Sequence, residues 1–252
     1  MPPKVVFIVP YRDREQQYYF FSRHMKYVLE DTDHQIFYIH QKDDRNFNRG
    51  ALKNIGFILM KQKYPDYQNI TFVFNDIDTT PYTKNFLNYE TVPGVIRHFY
   101  GFEYALGGIV SITGADFEKI NGFPNLWGWG FEDNALQRRA LDANIKIDRS
   151  QFYPLLDKNI LQGQDGFKRI VNRGEFDRYL DNTSEGIRSI SGIQYTENPD
   201  TGFMDVTQFS TGTECDPKKT TNYDLRNGPM PFTSKSQAPQ RAPNSRFRLV
   251  LI

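Results

Sequence analysis

The chain has 252 residues, with 31 Lys plus Arg against 30 Asp plus Glu and a formal net charge of +1. That length suits one large domain or a domain with an appended lobe, and the balanced charge excludes a global field steering it to nucleic acid or a membrane surface. A single cysteine, Cys215, excludes an internal disulfide, and no apolar stretch is long enough for a membrane span.

The β-branched run VVFIV (5–9), closed by Pro10, predicts a buried strand. Helical spacing follows from about Glu15 to Leu29, and QIFYIH (35–40) predicts a second strand. RGALKNIGFILMKQKY (49–64) predicts an amphipathic helix with Ala51, Leu52, Ile55, Ile58 and Leu59 on one side. ITFVF (70–74) predicts a third strand. This alternation is that of an open, mostly parallel α/β sheet, which binds ligands beyond the carboxyl ends of its strands. Each of these strands runs into polar residues: YRDR, QKDDRNFNR and NDID. GGIVSIT (107–113) predicts a further strand, followed by a helix to about Ile120, and 133–143 predicts another helix, with Glu132 and Asp133 at its positive end. From 209 to 247 Ser, Thr, Pro, Asn, Lys and Arg dominate, so 1–208 reads as the domain and 209–252 as a polar, flexible tail.

Four short stretches carry chemistry. In NDID (75–78), Asp76 and Asp78 lie two apart and share one side of an extended segment, which suits a Mg²⁺ or Mn²⁺ carrying a diphosphate, although a solvated turn uses the same residues. VPYRDR (9–14) puts Arg12 and Arg14 past the first strand, and FNRG (47–50) adds Phe47 and Arg49. Guanidinium forks suit phosphate oxygens, and surface pairing with Asp13, Asp43 or Asp44 is the plainer alternative. WGWGFEDN (127–134) holds both tryptophans, spaced by glycines and followed by Glu132 and Asp133. An indole face packs on a sugar ring, glycines let the backbone approach, and a carboxylate takes a proton from an attacking hydroxyl.

In this order, VPYRDR, FNRG, DID, GGIVSIT with NGFPN, and WGWGFEDN resemble the β-1,4-galactosyltransferase family, including its xylosylprotein galactosyltransferase branch. The resemblance covers about residues 5–195; QDGFKRIVNRGEFDRYLDNTSEGIRSI (164–190) looks like the family's weaker C-terminal segment, and 209–252 match nothing in it. It implies a GT-A, Rossmann-like nucleotide-sugar-binding fold, a UDP-sugar donor, a sugar acceptor, Mn²⁺ (or Mg²⁺) and inversion at the anomeric carbon. Carried over by position, Pro10, Tyr11, Arg12, Arg14, Phe47, Asn48, Arg49, Asp76, Ile77, Asp78, Ala105, Gly108 and Trp129 would surround the donor. Trp129, Gly130, Phe131, Asp133 and Asn134 would meet the acceptor, with Asp133 as base and Glu132 holding a sugar hydroxyl. Asp78 would bind the metal.

The chain departs from the family in places. Asn134 stands where a third acid is usual, and the spacing from NGF to the first Trp is one residue shorter. The histidine that completes the family's metal site is missing: His24, His34, His40 and His98 all lie upstream, and FYPLLDK (152–158) offers Asp157 as the substitute. Such an oxygen-only site should favour Mg²⁺ over Mn²⁺. Ala105 replaces a bulky tyrosine before the Gly-Gly, leaving room for an N-acetyl group, so UDP-GalNAc is expected beside UDP-galactose. The alternative is a catalytically weak nucleotide-sugar or glycan-binding module; a nucleotidyltransferase leaves the WGWG string without a role. With no anchor or disulfide, a cytoplasmic location is expected, the alternative being a trimmed luminal domain of a Golgi-type enzyme.

Overall fold

The computed structural model describes residues 2–228 and 230–232. In chain order the first half forms β1 (Val5–Tyr11), α1 (Glu15–Val28), β2 (His34–Gln41), α2 (Arg49–Lys63), β3 (Thr71–Asn75), β4 (Thr79–Pro81), β5 (Val95–Gly101), β6 (Ile109–Thr113) and α3 (Gly114–Lys119). The second half forms α4 (Glu132–Asp142), β7 (Lys146–Asp148), β8 (Tyr153–Pro154), β9 (Ile160–Gln162), β10 (Lys168–Asn172), α5 (Arg173–Leu180), β11 (Ser191–Asn198), β12 (Phe203–Ser210) and β13 (Thr220–Asp224). The central sheet runs β11-β12-β2-β1-β3-β6-β5-β7, with β8 beside β5. Neighbours from β12 through β2 and β1 to β3 are parallel, and β6 reverses the direction against both β3 and β5.

The uninterrupted apolar character of β1 has a direct cause. Val6 and Ile8 pack into the core under α2, with Leu52, Ile55 and Phe74, while Val5, Phe7 and Val9 pack on the other face with Phe21, Met25 and Val28 of α1. A strand covered on both faces needs no polar alternation. Phe7 is wholly buried, and its truncation to alanine would cost about 3–5 kcal/mol. Helix α2 starts where the buried Asn48 side chain accepts from the Ala51 amide at 2.9 Å. It ends at Tyr64, whose extended backbone is the one favoured before Pro65.

The compositional change at 209 does not mark the end of packed structure. β12 runs parallel to β2 and ends at Ser210, Phe209 is buried, and β13 pairs antiparallel with β10. β12 is held by its buried Met204, Val206 and Phe209, and the polar β13 (TTNYD) by its backbone ladder with β10. The expectation of a tail falls, for 233–252, outside the described residues. Among the described residues no helix is long and apolar enough to cross a membrane.

Candidate active site

The carboxyl ends of β1, β2 and β3 open into one cleft of about 360 Å³. Pro10, Arg12 and Arg14 line it from the first loop, Phe47 and Arg49 from the second, and Asp76, Ile77 and Asp78 from the third. Trp129 closes one side. The expected convergence of three loops on one rim is therefore present.

Three residues placed at the donor by position do other work. The Arg12 guanidinium donates to the carbonyls of Gln41, Arg45 and Asp43, at 3.3, 2.5 and 2.6 Å, and so holds the loop after β2 in shape. Asn48 is spent capping α2, and Tyr11 is buried in an aromatic cluster with Tyr18, His40 and Phe203. All three support the cleft rather than offering free polar groups to it.

Below the rim lies a cluster of charge. Arg49 reaches Glu132 at 3.5 Å and Asp76 at 4.0 Å; one helical turn later, Lys53 reaches Asp133 at 3.2 Å and Asp76 at 3.9 Å. Lys53 is 2% exposed and Glu132 is 4% exposed. Burial works against both cations, but the surrounding carboxylates push Arg49 and Lys53 upward, so both stay charged. Burial pushes the Asp133 carboxyl up to about 7, helped by Glu132 and Asp76 and opposed by Lys53 and Arg49. A carboxylate in that range is suited to take and return a proton near neutral pH.

The two tryptophans divide their tasks. Trp127 is buried, stacks on Phe209 and donates from Nε1 to the Thr213 carbonyl at 3.1 Å. It anchors the segment, and Trp129 is left to face the cleft, its amide bonded to the Ile170 carbonyl at 2.7 Å. Gly128 and Gly130 have φ of 94° and 100°, which glycine adopts without strain. Phe131 caps α4 in a left-handed conformation and stacks on Tyr179, so its ring is committed to α5. Asn134 donates to the Tyr104 carbonyl at 3.3 Å. Ala105 is 6% exposed in the turn between β5 and β6, and Gly108 accepts from the Asp76 amide at 3.0 Å. At Gly107 an added Cβ would lie 2.4 Å from Asp133 Oδ2, so only glycine leaves space for that carboxylate.

Among the described residues no three His, Cys, Asp or Glu side chains gather as a metal-binding group. Burial and the neighbouring charge of Asp76 push Asp78 up to about 6, the state of a carboxylate short of cationic charge. The carboxylate of Asp165 also faces this cleft and adds to that shift. Both oxygens of Asp165 are taken by Arg14 and Arg169, at 3.0 and 2.5 Å, which leaves Asp78 as the cleft carboxylate with the chemistry to meet a hard cation. Asp157, the substitute expected from sequence, does not line the cleft; its Oδ1 accepts from the Asn159 amide at 2.8 Å and closes a local turn. His98 is bonded to the Tyr100 and Gly107 carbonyls, outside the cleft lining.

Lys53, Asp165, Lys168 and Arg169 escaped the sequence reading. Lys53 sits in a helix read by its apolar face alone, although its i, i+4 spacing from Arg49 was visible. Asp165, Lys168 and Arg169 lie in QDGFKR, past the strands whose ends define the rim, and reach it through the pairing of β9 with β4 and the bond from Gly163 to the Asp78 carbonyl.

Comparison with known proteins agrees with this geometry. The family model "N-terminal region of glycosyl transferase group 7" matches residues 2–90, and "N-terminal domain of galactosyltransferase" matches residues 96–159. Among curated relatives, a xylosylprotein 4-beta-galactosyltransferase of Caenorhabditis elegans is 36% identical over 157 residues, 58% of this chain and 53% of the relative. The beta-1,4-galactosyltransferase 7 of Drosophila melanogaster is 32% identical over 182 residues, 68% of this chain and 53% of the relative. Human beta-1,4-galactosyltransferase 1 is 32% identical over 161 residues, 59% of this chain and 39% of the relative. The chain thus spans about half the length of these relatives, or less. The catalytic domain of Drosophila beta1,4galactosyltransferase 7, solved with xylobiose, shares the fold with a TM-score of 0.64 at 22% identity, over 86% of this chain and 97% of that one. With the two family models together matching more than half of its length, and the ordered motifs meeting at one cleft, this GT-A chain belongs to the β-1,4-galactosyltransferase family.

Proposed function

We propose that the protein is an inverting glycosyltransferase that moves galactose or N-acetylgalactosamine from a UDP-sugar to a hydroxyl of a sugar acceptor. The observation that carries this reading is the position of Asp133. It lies outside the lining of the cleft but is joined through Lys53 to Asp76, which lines it beside Arg14, Arg169, Asp78 and Trp129, and burial raises its carboxyl to about 7. A solved relative with the same fold, a mutant Drosophila galactosyltransferase 7, is complexed with manganese, UDP-Gal and xylobiose, which supports donor and acceptor classes of this kind.

The chain's own groups suffice for the proton and the positioning. Arg14 and Arg169 face the diphosphate, Trp129 packs on the sugars, and Glu132, fixed by Arg49, orients a hydroxyl. Asp133 takes the proton of the acceptor hydroxyl as its oxygen attacks the anomeric carbon, and the bond to the diphosphate breaks with its electrons leaving on UDP. A divalent cation held at Asp78, when bound, supplies positive charge to that leaving group. The test is transfer from UDP-Gal, UDP-GalNAc and UDP-Glc to a panel of simple sugars, with Mn²⁺, Mg²⁺ or EDTA. Metal-dependent transfer supports the reading. Retained UDP binding without turnover supports a binding module, a reading favoured by the absence of an imidazole among the cleft's lining residues.

A further inference from the structure

Lys53 has no part in the chemistry above, yet its side chain, 2% exposed, is the most deeply buried of the charged cluster. Its whole side chain lies inside, stretched along the Phe123 ring with Nζ 4.5 Å from the centroid. Nζ ends 3.2 Å from Asp133 Oδ1 and 3.9 Å from Asp76 Oδ1. Asp76 Oδ1 is buried without a hydrogen-bond partner. The ammonium is therefore the nearest cation to two partly buried acids, and it engages only one oxygen of Asp133. Among the described residues no group donates to the other, Oδ2, which lies in the space above Gly107.

We infer that Lys53 is a positioning residue for the transfer, holding Asp133 by Oδ1 so that Oδ2 is left ionised and turned toward the acceptor hydroxyl. This rests on the transferase reading and on Asp133 as its base. The charged groups facing Asp133 are Lys53 and Arg49 from α2, Asp76 from the end of β3, and Glu132 beside it on α4. Of these, Lys53 is the one in hydrogen-bond contact with the carboxylate. A cation at that distance favours the ionised form, and when Asp133 takes the acceptor's proton the ammonium keeps the neutral acid in place. Arg49 cannot substitute, because its guanidinium is directed at Glu132 and Asp76.

The experiment is the pH dependence of kcat/KM for UDP-sugar transfer by the wild type, Lys53→Met and Asp133→Asn, with UDP affinity measured by calorimetry. The expected result is an acid limb displaced upward by at least about one pH unit in Lys53→Met, so that its deficit relative to wild type is about tenfold larger at pH 6 than at pH 9. UDP affinity should stay unchanged. Should Lys53→Met not fold, Lys53→Gln keeps a donor without the charge and carries the same expectation. A loss of activity uniform across pH, or a loss of UDP affinity matching the loss of rate, overturns the assignment. Wild-type protein without turnover, or an Asp133→Asn variant as active as wild type, overturns instead the transferase reading on which it stands.

Discussion

Arg14 donates from Nη2 to Asp165 Oδ2 at 3.0 Å, across 151 residues of sequence. Arg169 meets the other oxygen, Oδ1, at 2.5 Å. One carboxylate thus gathers two guanidinium groups on one wall of the cleft, facing where a diphosphate would lie. Asp165→Ala should release both and weaken UDP binding about tenfold, the scale of one charge-assisted hydrogen bond. Calorimetry with UDP measures it, and an unchanged affinity would remove the pair from the donor site.

Asp78 is the group expected to make nucleotide binding depend on metal. Wild-type protein should bind UDP more tightly in Mn²⁺ than in EDTA, and Asp78→Ala should bind it equally in both. An Asp157→Ala variant should behave as wild type, since Asp157 closes its own turn. Metal-dependent binding that survives Asp78→Ala would place the cation elsewhere.

Much of this was legible in the sequence. The strand ends were, because an apolar run covered on both faces stops where polar residues begin, and that edge is the rim. Pro10, Arg14, Phe47, Arg49, Asp76, Ile77, Asp78 and Trp129, drawn from the chemistry-bearing motifs, line the cleft. Roles were less legible than places. Arg12 has the residue type of a phosphate ligand, but its donors go to carbonyls of a neighbouring loop that no local pattern reveals. Lys53 and Asp165 depend on tertiary approach: one on the burial of a helix nearly all round, the other on β9 reaching back to β4. The joining of 209–228 to the domain was hidden because β12 pairs with the distant β2 and β13 with β10, contacts that no local pattern reveals.

Ala105 should govern the donor sugar. The small side chain in the turn above Asp133 predicts use of UDP-GalNAc as well as UDP-Gal. Ala105→Tyr should lower kcat/KM for UDP-GalNAc at least about tenfold while sparing UDP-Gal, a discrimination of the size steric pockets provide. Strict use of UDP-Gal by the wild type would refute the argument.

His98 should make the fold acid-sensitive. Nε2 contacts the Tyr100 and Gly107 carbonyls, and Nδ1 accepts from Arg149 at 3.1 Å, which fixes a neutral ring. Burial, with the charge of Arg149, lowers it from 6.5 to about 4. A histidine lowered on folding binds its proton more readily when unfolded. Stability is therefore lost as pH falls through 6.5 toward about 4, and it returns as pH rises. The histidine's share approaches about 3 kcal/mol at the acid end. His98→Gln should be less stable at pH 7.5 but lose less on acidification. Urea melts at both ends of the window measure this, and parallel slopes in the two proteins would exclude a neutral buried His98.

The central claim is that Asp133 removes the acceptor's proton. UDP release from UDP-Gal and UDP-GalNAc, with Mn²⁺ and a sugar acceptor, should be lost by at least about a hundredfold in Asp133→Asn, the scale of a general base. UDP affinity should remain, since Asp133 is not among the residues lining the nucleotide cleft. Acceptor-dependent release at the wild-type rate from the Asp133→Asn variant would contradict the account.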